Sequence, residues 1–324
     1  MSVPILRAER LRKSYVALRG RPWRRERRFW AVDGVDLTLG RGETLGIVGE
    51  SGCGKSTLAR LLLGLTAADE GTVEIDGAPL PDAGEAAWRA LRRRAQIVHQ
   101  DAAGSLDPRM PVRAQVAEAA HIHGLPEADA DAALEAVGLG GALAERYPHE
   151  MSGGQVQRVV IARALALGPD LMVLDEPVSA LDLSIQAQIV NLLVRLQRGR
   201  GLAYVLVSHD IGVVRHVSDR IAVMYLGRIV ETGPARAVGE APAHPYTRAL
   251  LSAVPEPDPN RRATPPPVGD PPDPAAPPSG CRFHPRCPAA VERCAAEAPT
   301  LRPFGPVRAA CHRLEDVNRL ERSA

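Results

Sequence analysis

Residues 49 to 57 read GESGCGKST, three glycines closed by a lysine and two hydroxyls. The spacing is that of G-x-x-x-x-G-K-[ST], in which each residue type has a use on a polyphosphate. Gly49, Gly52 and Gly54 let the backbone turn tightly enough to aim its N–H groups inward, and Glu50, Ser51, Cys53 and Thr57 add main chain to the same loop. Lys55 supplies a point charge for β and γ phosphates, and the Ser56 hydroxyl suits Mg²⁺. A turn that merely joined two elements would not need Lys-Ser at its end. Cys53 falls at an x position of the pattern and reads as a small tolerated side chain, not a catalytic thiol. Much further along, LMVLDEP (171 to 177) ends an apolar run in two carboxylates, Asp175 and Glu176. A buried strand has no structural use for adjacent charges at its tip unless a cation or a water is handled there. Asp175 suits Mg²⁺, directly or through water, and Glu176 suits the residue that orients or deprotonates an attacking water. The two motifs together point to nucleotide hydrolysis.

Two further clusters carry chemistry. In MSGGQVQRVVIARAL (151 to 165), Ser152 is a good N-cap, Gly153 and Gly154 are expected to open the backbone, and Gln155 starts an apolar-faced helix. That stretch is a second helix N-terminus prepared for an anion. In the tail, Cys281, Cys287, Cys294 and Cys311 are four of only five cysteines in the chain. Four thiolates serve either a tetrahedral Zn²⁺ or an iron-sulfur cluster, although gaps of five, six and sixteen residues suit an object touched from several sides. Four unliganded thiols are the weaker reading, since a short tail poor in apolar residues has little else to fold around.

The elements that must position these groups can be read from the apolar runs. TLGIV (44 to 48), TVEI (72 to 75), LMVLD (171 to 175), AYVLVS (203 to 208) and RIAVMY (220 to 225) are expected strands. Helical periodicity over 55 to 63, 155 to 166 and 184 to 196 separates them, which describes an α/β domain of buried, mostly parallel strands. Ligands of such sheets bind beyond the carboxyl ends of the strands, where the phosphate loop and the acidic pair fall. Composition changes near residue 255: of the 24 residues from Pro255 to Pro278, 11 are proline, an extended spacer that sets the cysteine tail apart.

The totals narrow the class. A length of 324 residues suggests one large unit with an appendage, or two moderate domains. A net charge of +2 and 3% aromatic residues argue against a general nucleic-acid binder. No signal-peptide core opens the sequence and no run of apolar residues is long enough to span a bilayer, so a cytoplasmic location is expected. Thiols are kept reduced there, which favours metal or redox chemistry over a disulfide in the tail. The six arginines between Arg19 and Arg28 lie in an insert (19 to 30) without amphipathic period, read as a solvated loop.

With these motifs in order, residues 3 to 255 resemble an ATP-binding-cassette (ABC) ATPase. Besides the phosphate loop and LMVLDEP, the resemblance rests on Gln100 in IVHQD, SGGQ at 152 to 155, SALD at 179 to 182, His209 in VSHD, and Tyr15. It implies a P-loop core with an antiparallel β subdomain and a helical subdomain. It also implies Tyr15 stacking on adenine, Gln100 linking Mg²⁺ and water to a permease, and His209 at the γ-phosphate. Ser152, Gly153, Gly154 and Gln155 would then cover ATP held by a partner cassette. DAAGSLDPRM, HPYTRALLSAVPEPDP and PPSGCRFHPRCP extend the resemblance to the ATPase subunits of oligopeptide, dipeptide and nickel importers, F-type, over nearly the whole chain. This implies a cassette at 1–255, a linker at 256–279 and a cysteine module at 280–324. It further implies ATP and Mg²⁺, a [4Fe-4S] cluster with Zn²⁺ as alternative, and a D-type ATPase partner in a heterodimer. Two permeases, an extracytoplasmic solute-binding protein, a place on the cytoplasmic membrane face and peptide import complete the implication. A soluble ABC ATPase working on ribosomes or DNA is the rival, disfavoured by a single cassette and a nearly neutral chain. A redox-sensing metal module on an inactive cassette is the other, disfavoured by intact Lys55, Asp175 and Glu176.

Overall fold

Two long strands, β1 (Leu6–Leu18) and β2 (Arg27–Leu39), are followed by β3 (Thr44–Val48) and helix α1 (Lys55–Leu62). Then come β4 (Glu70–Ile75), β5 (Ala78–Pro79), α2 (Glu85–Arg94), β6 (Ala95–Val98), α3 (Val112–Ile122), α4 (Glu127–Ala136) and α5 (Gly153–Leu165). The next elements are β7 (Leu171–Asp175), α6 (Leu183–Arg200), β8 (Ala203–Ser208), α7 (Ile211–Val217), β9 (Arg220–Tyr225) and β10 (Arg228–Pro234). Helices α8 (Ala235–Glu240), α9 (Pro245–Ser252) and α10 (Glu292–Ala296), strands β11 (Arg302–Phe304) and β12 (Val307–Ala309), and α11 (Leu314–Glu321) close the chain. The structure, a computed structural model, describes residues 3–18, 27–82, 84–179, 181–253 and 269–321. Most of the arginine-rich insert, Ala180 of SALD and most of the proline-rich spacer therefore lie outside the described residues. Among the described residues no helix is long and apolar enough to cross a membrane.

The chain divides into two units, the first formed by residues 1–6, 38–44 and 74–207 and the second by 7–37, 45–73 and 208–324. In the first, β6, β7 and β8 are parallel neighbours, with Val98 opposite Leu174 and Val173 opposite Val205. Residues 171 to 174 are fully buried, as expected of a strand covered on both faces, which reads as an unbroken apolar run. Helices α3, α4 and α5 pack together in the same unit. Asp182 caps α6, its carboxylate accepting the Ile185 N–H at 3.0 Å, and Gly201 ends that helix at φ 66°.

In the second unit β3 runs parallel to β9, and β10 turns back antiparallel to β9. The tail joins by pairing: β12 lies antiparallel to β10, with Glu231 opposite Ala309, and β11 pairs with β12. Strands β2, β1 and β4 form a separate sheet in that order. The run TVEI therefore belongs to β4 and not to a parallel sheet with the other four expected strands. Its exposure separates it from them, since only Val73 and Ile75 are buried in β4, the alternation of a sheet with one wet face.

Candidate functional site

The phosphate-loop motif follows β3 and opens α1. Gly54 is the N-cap of α1 at φ 108°, and a Cβ there would stand 1.9 Å from the Ala31 carbonyl oxygen. A Cβ on Gly49 would meet the Met224 carbonyl at 2.1 Å, so both positions need glycine for reasons of space. Lys55 is 4% exposed. Its ammonium donates to the Gly49 carbonyl at 2.7 Å and the Glu50 carbonyl at 3.0 Å. A buried cation thus sits inside a ring of main chain at a helix N-terminus, an arrangement suited to anionic oxygens. Ser51 and Gly52 are exposed, Ser56 and Thr57 half-buried. Cys53 is buried, and burial pushes its thiol up despite the nearby Lys55 ammonium, which keeps it protonated and consistent with a packing role.

In the first unit Asp175 ends β7 with 4% exposure. Glu176 follows at φ 50°, a left-handed conformation that costs a non-glycine residue about 1 kcal/mol or more. Its N–H donates to the Val207 carbonyl at 2.9 Å, and its carboxylate accepts the Gln100 amide at 3.0 Å. The strained backbone therefore delivers Glu176 to Gln100, which stands just beyond β6. The loop after Gln100 is held by Gln115, 3% exposed, whose side chain bonds both the N–H and the carbonyl of Asp107 at 2.9 Å. Arg163 of α5 donates to the Ser105 carbonyl at 2.6 Å, tying that loop to the helix of the SGGQ motif.

Ser152 caps α5 as expected, and a reciprocal box forms: its hydroxyl accepts the Gln155 N–H at 3.4 Å while the Gln155 side chain accepts the Ser152 N–H at 3.0 Å. The two glycines do something other than open the backbone. Both lie in the first turn of α5, and neither is among the residues with positive φ. A Cβ on Gly154 would stand 2.4 Å from Ile185 of α6, so this glycine admits a neighbouring helix, whereas a Cβ on Gly153 would make only an ordinary 3.4 Å contact with Leu181.

In the second unit His209 is exposed between β8 and α7. Asp210 fixes its place by capping α7, accepting N–H groups from Gly212 at 2.8 Å and Val213 at 3.2 Å. Tyr15 on β1 is 36% exposed, with Phe29 6.1 Å away between ring centroids and Lys13 6.0 Å from its ring. Cys281, Cys287, Cys294 and Cys311 line one cavity together with Phe283 and Val317. Burial pushes the Cys281 and Cys287 thiols up to about 11 and raises Cys311 as well. Among the described residues no group of three or more His, Cys, Asp or Glu is placed to hold a metal ion.

Several residues that position this unit drew no attention in the sequence. Asp33, 5% exposed, pairs with Arg12 at 2.9 Å, with Arg228 at 2.8 Å and with Arg282 of the tail. Burial alone would raise its carboxyl, but the Arg228, Arg282 and Arg12 guanidiniums hold it below the usual range. Arg286 and Tyr246 both reach Glu50 of the phosphate loop. The only hints were a basic residue next to Cys287 and the phrase HPYTRALL.

A family model described as ABC transporter matches residues 32–179, and one described as Oligopeptide/dipeptide transporter, C-terminal region, matches residues 230–294. The chain is 49% identical over 288 residues to the oligopeptide transport ATP-binding protein OppF of Escherichia coli, covering 86% of each. It is 45% identical over 321 residues to the di/tripeptide transport ATP-binding protein DppF of Pseudomonas aeruginosa, covering 96% of this chain and 98% of that one. Among solved structures, the ATP-binding cassette MJ0796, a dimer in a post-hydrolysis state with ADP and Pi, matches at TM-score 0.62 and 29% identity over 71% of this chain and 99% of that one.

Proposed function

Because the chain belongs to the ATP-binding subunits of oligopeptide and dipeptide ABC transporters, we propose that it hydrolyses ATP to drive peptide import through membrane permeases at the cytoplasmic face. The observation that carries this reading is the buried Lys55 ammonium inside the loop that opens α1. In it, the N–H groups from Gly49 to Thr57 and Lys55 bind the phosphates, while Ser56, Asp175 and Gln100 serve Mg²⁺. Glu176, held by Gln100 at 3.0 Å, takes the proton of the attacking water. His209 contacts the γ-phosphate and Tyr15 the adenine.

The helix end at Ser152–Gln155 serves the ATP of a second cassette, a D-type ATPase subunit in a heterodimer, with two permeases and a solute-binding protein completing the transporter. The support is a capped helix N-terminus exposed at Ser152 and Gly153, and the dimeric cassette is a structural relative. Purified alone, the chain is expected to hydrolyse ATP weakly, with activity rising at least tenfold on addition of its ATPase partner and permeases. Full activity from a strictly monomeric preparation would remove the heterodimer from the reading.

The four tail cysteines are the donor set for a [4Fe-4S] cluster, or less fittingly for Zn²⁺. The support is the chemistry of the donor set, four thiols that line one cavity, since soft thiolates select iron-sulfur clusters or zinc. When bound, the cluster supplies four metal–thiolate links and so orders the tail. Main-chain bonds tie this segment together: the Cys281 N–H donates to the Cys294 carbonyl at 2.8 Å, and the His284 N–H to the Cys281 carbonyl at 2.9 Å.

A further inference from the structure

Glu50 places a carboxylate in a loop whose N–H groups and Lys55 gather to hold an anion, and that charge opposes the loop's task. The tail answers it. Arg286 grips the carboxylate with two parallel bonds, Nη1 to Oε2 at 2.8 Å and Nη2 to Oε1 at 2.9 Å, the geometry in which a guanidinium pairs best with a carboxylate. The Arg286 side chain is 7% exposed and that of Glu50 25%, so water screens the pair poorly. A second hold acts on the main chain, where the Glu50 N–H donates to the Tyr246 hydroxyl at 2.8 Å. One residue of the phosphate loop is thus fixed at both ends by residues from the last third of the chain.

The anchor behind these two contacts is buried and aromatic. Tyr225, Tyr246 and Phe283 are at most 1% exposed and meet with ring centroids 4.6 to 5.4 Å apart. The Arg286 guanidinium lies 5.9 Å from the Phe283 ring and 6.0 Å from that of Tyr225, whose hydroxyl it reaches at 3.4 Å. Phe283 also lines the cysteine cavity, and Cys287 follows Arg286 directly. Tail and phosphate loop are therefore linked by one continuous set of packed groups.

We propose that Arg286 is a positioning residue for the ATP site, neutralising Glu50 and fixing the first turn of the phosphate loop, so that the cysteine-bearing tail and nucleotide affinity are coupled. This rests on the reading that Gly49–Thr57 hold ATP phosphates. Coupling is reciprocal, so nucleotide also steadies the tail. Losing Arg286 leaves an unpaired carboxylate facing a triphosphate, and restoring neutrality by removing that carboxylate recovers binding.

The test is ATP affinity of the full-length protein, with thermal unfolding followed separately. Arg286→Gln is expected to raise the Kd for ATP about tenfold, a usual size for coupled sites. Arg286→Lys, which keeps the charge and loses the fork, falls between it and the parent. Glu50→Gln added to Arg286→Gln brings the Kd most of the way back. In the assembled transporter the change appears in KM more than in kcat. A purely structural arginine would lower the unfolding midpoint and leave the Kd of the folded protein alone. Parent-like Kd values in both single variants overturn the proposal, as does a double variant no tighter than Arg286→Gln. Lys55→Ala is the control: if it binds ATP like the parent, the phosphate-loop reading itself fails, and if it does not, failure of the Arg286 series falls on the coupling alone.

Discussion

Glu176→Gln is expected to leave ATP binding in place and cut turnover by about 10²- to 10⁴-fold, the contribution of a positioned general base. Glutamine keeps the size of the side chain and one acceptor oxygen, so the contact with Gln100, now 3.0 Å from the carboxylate, survives. What is lost is the capacity to take a proton from water. The backbone supports this reading: Glu176 adopts φ 50°, and strain at a non-glycine residue persists where the surroundings impose it. Single-turnover hydrolysis in the assembled transporter separates binding from chemistry. Parent-like turnover there would take the base away from Glu176.

The second large effect is in the tail. Anaerobically purified protein should be brown and carry four irons with matching sulfide, and Cys287→Ser should lose both the colour and the iron. The reason lies in the thiols themselves. Burial pushes Cys281 and Cys287 up to about 11, so at neutral pH they remain protonated unless a bound cation draws the protons off. A serine hydroxyl, with no thiolate to offer, breaks a set of four. Colourless anaerobic protein with one tightly held zinc would reject the cluster and keep the site; protein free of metal would reject both.

Much of the candidate ATP site is legible because its signals are local. A strand, a glycine loop ending in Lys-Ser and a helix fall within 44 to 62, and β3 and α1 take those positions. Asp175 and Glu176 are as plain, since LMVLD is an unbroken apolar run ended by charge. Periodicity is blind to which sheet a run joins, so TVEI reads like the other four expected strands and yet pairs in a different sheet. Two glycines beside a cap suggest an opened backbone, whereas Gly154 makes room for Ile185 on another helix, a contact between helices that local sequence does not announce. The pair between Arg286 and Glu50 joins residues 236 apart in sequence, and no pattern within either segment announces it.

The most direct test of the central claim is accumulation of labelled di- and oligopeptides by cells whose own copy of this chain is replaced by the parent or by the Glu176→Gln variant. ATP-dependent accumulation with the parent, and none above background with the variant or with the chain deleted, is the expected result. Equal accumulation in all three would contradict the assignment of this chain as the ATP-hydrolysing subunit of a peptide importer.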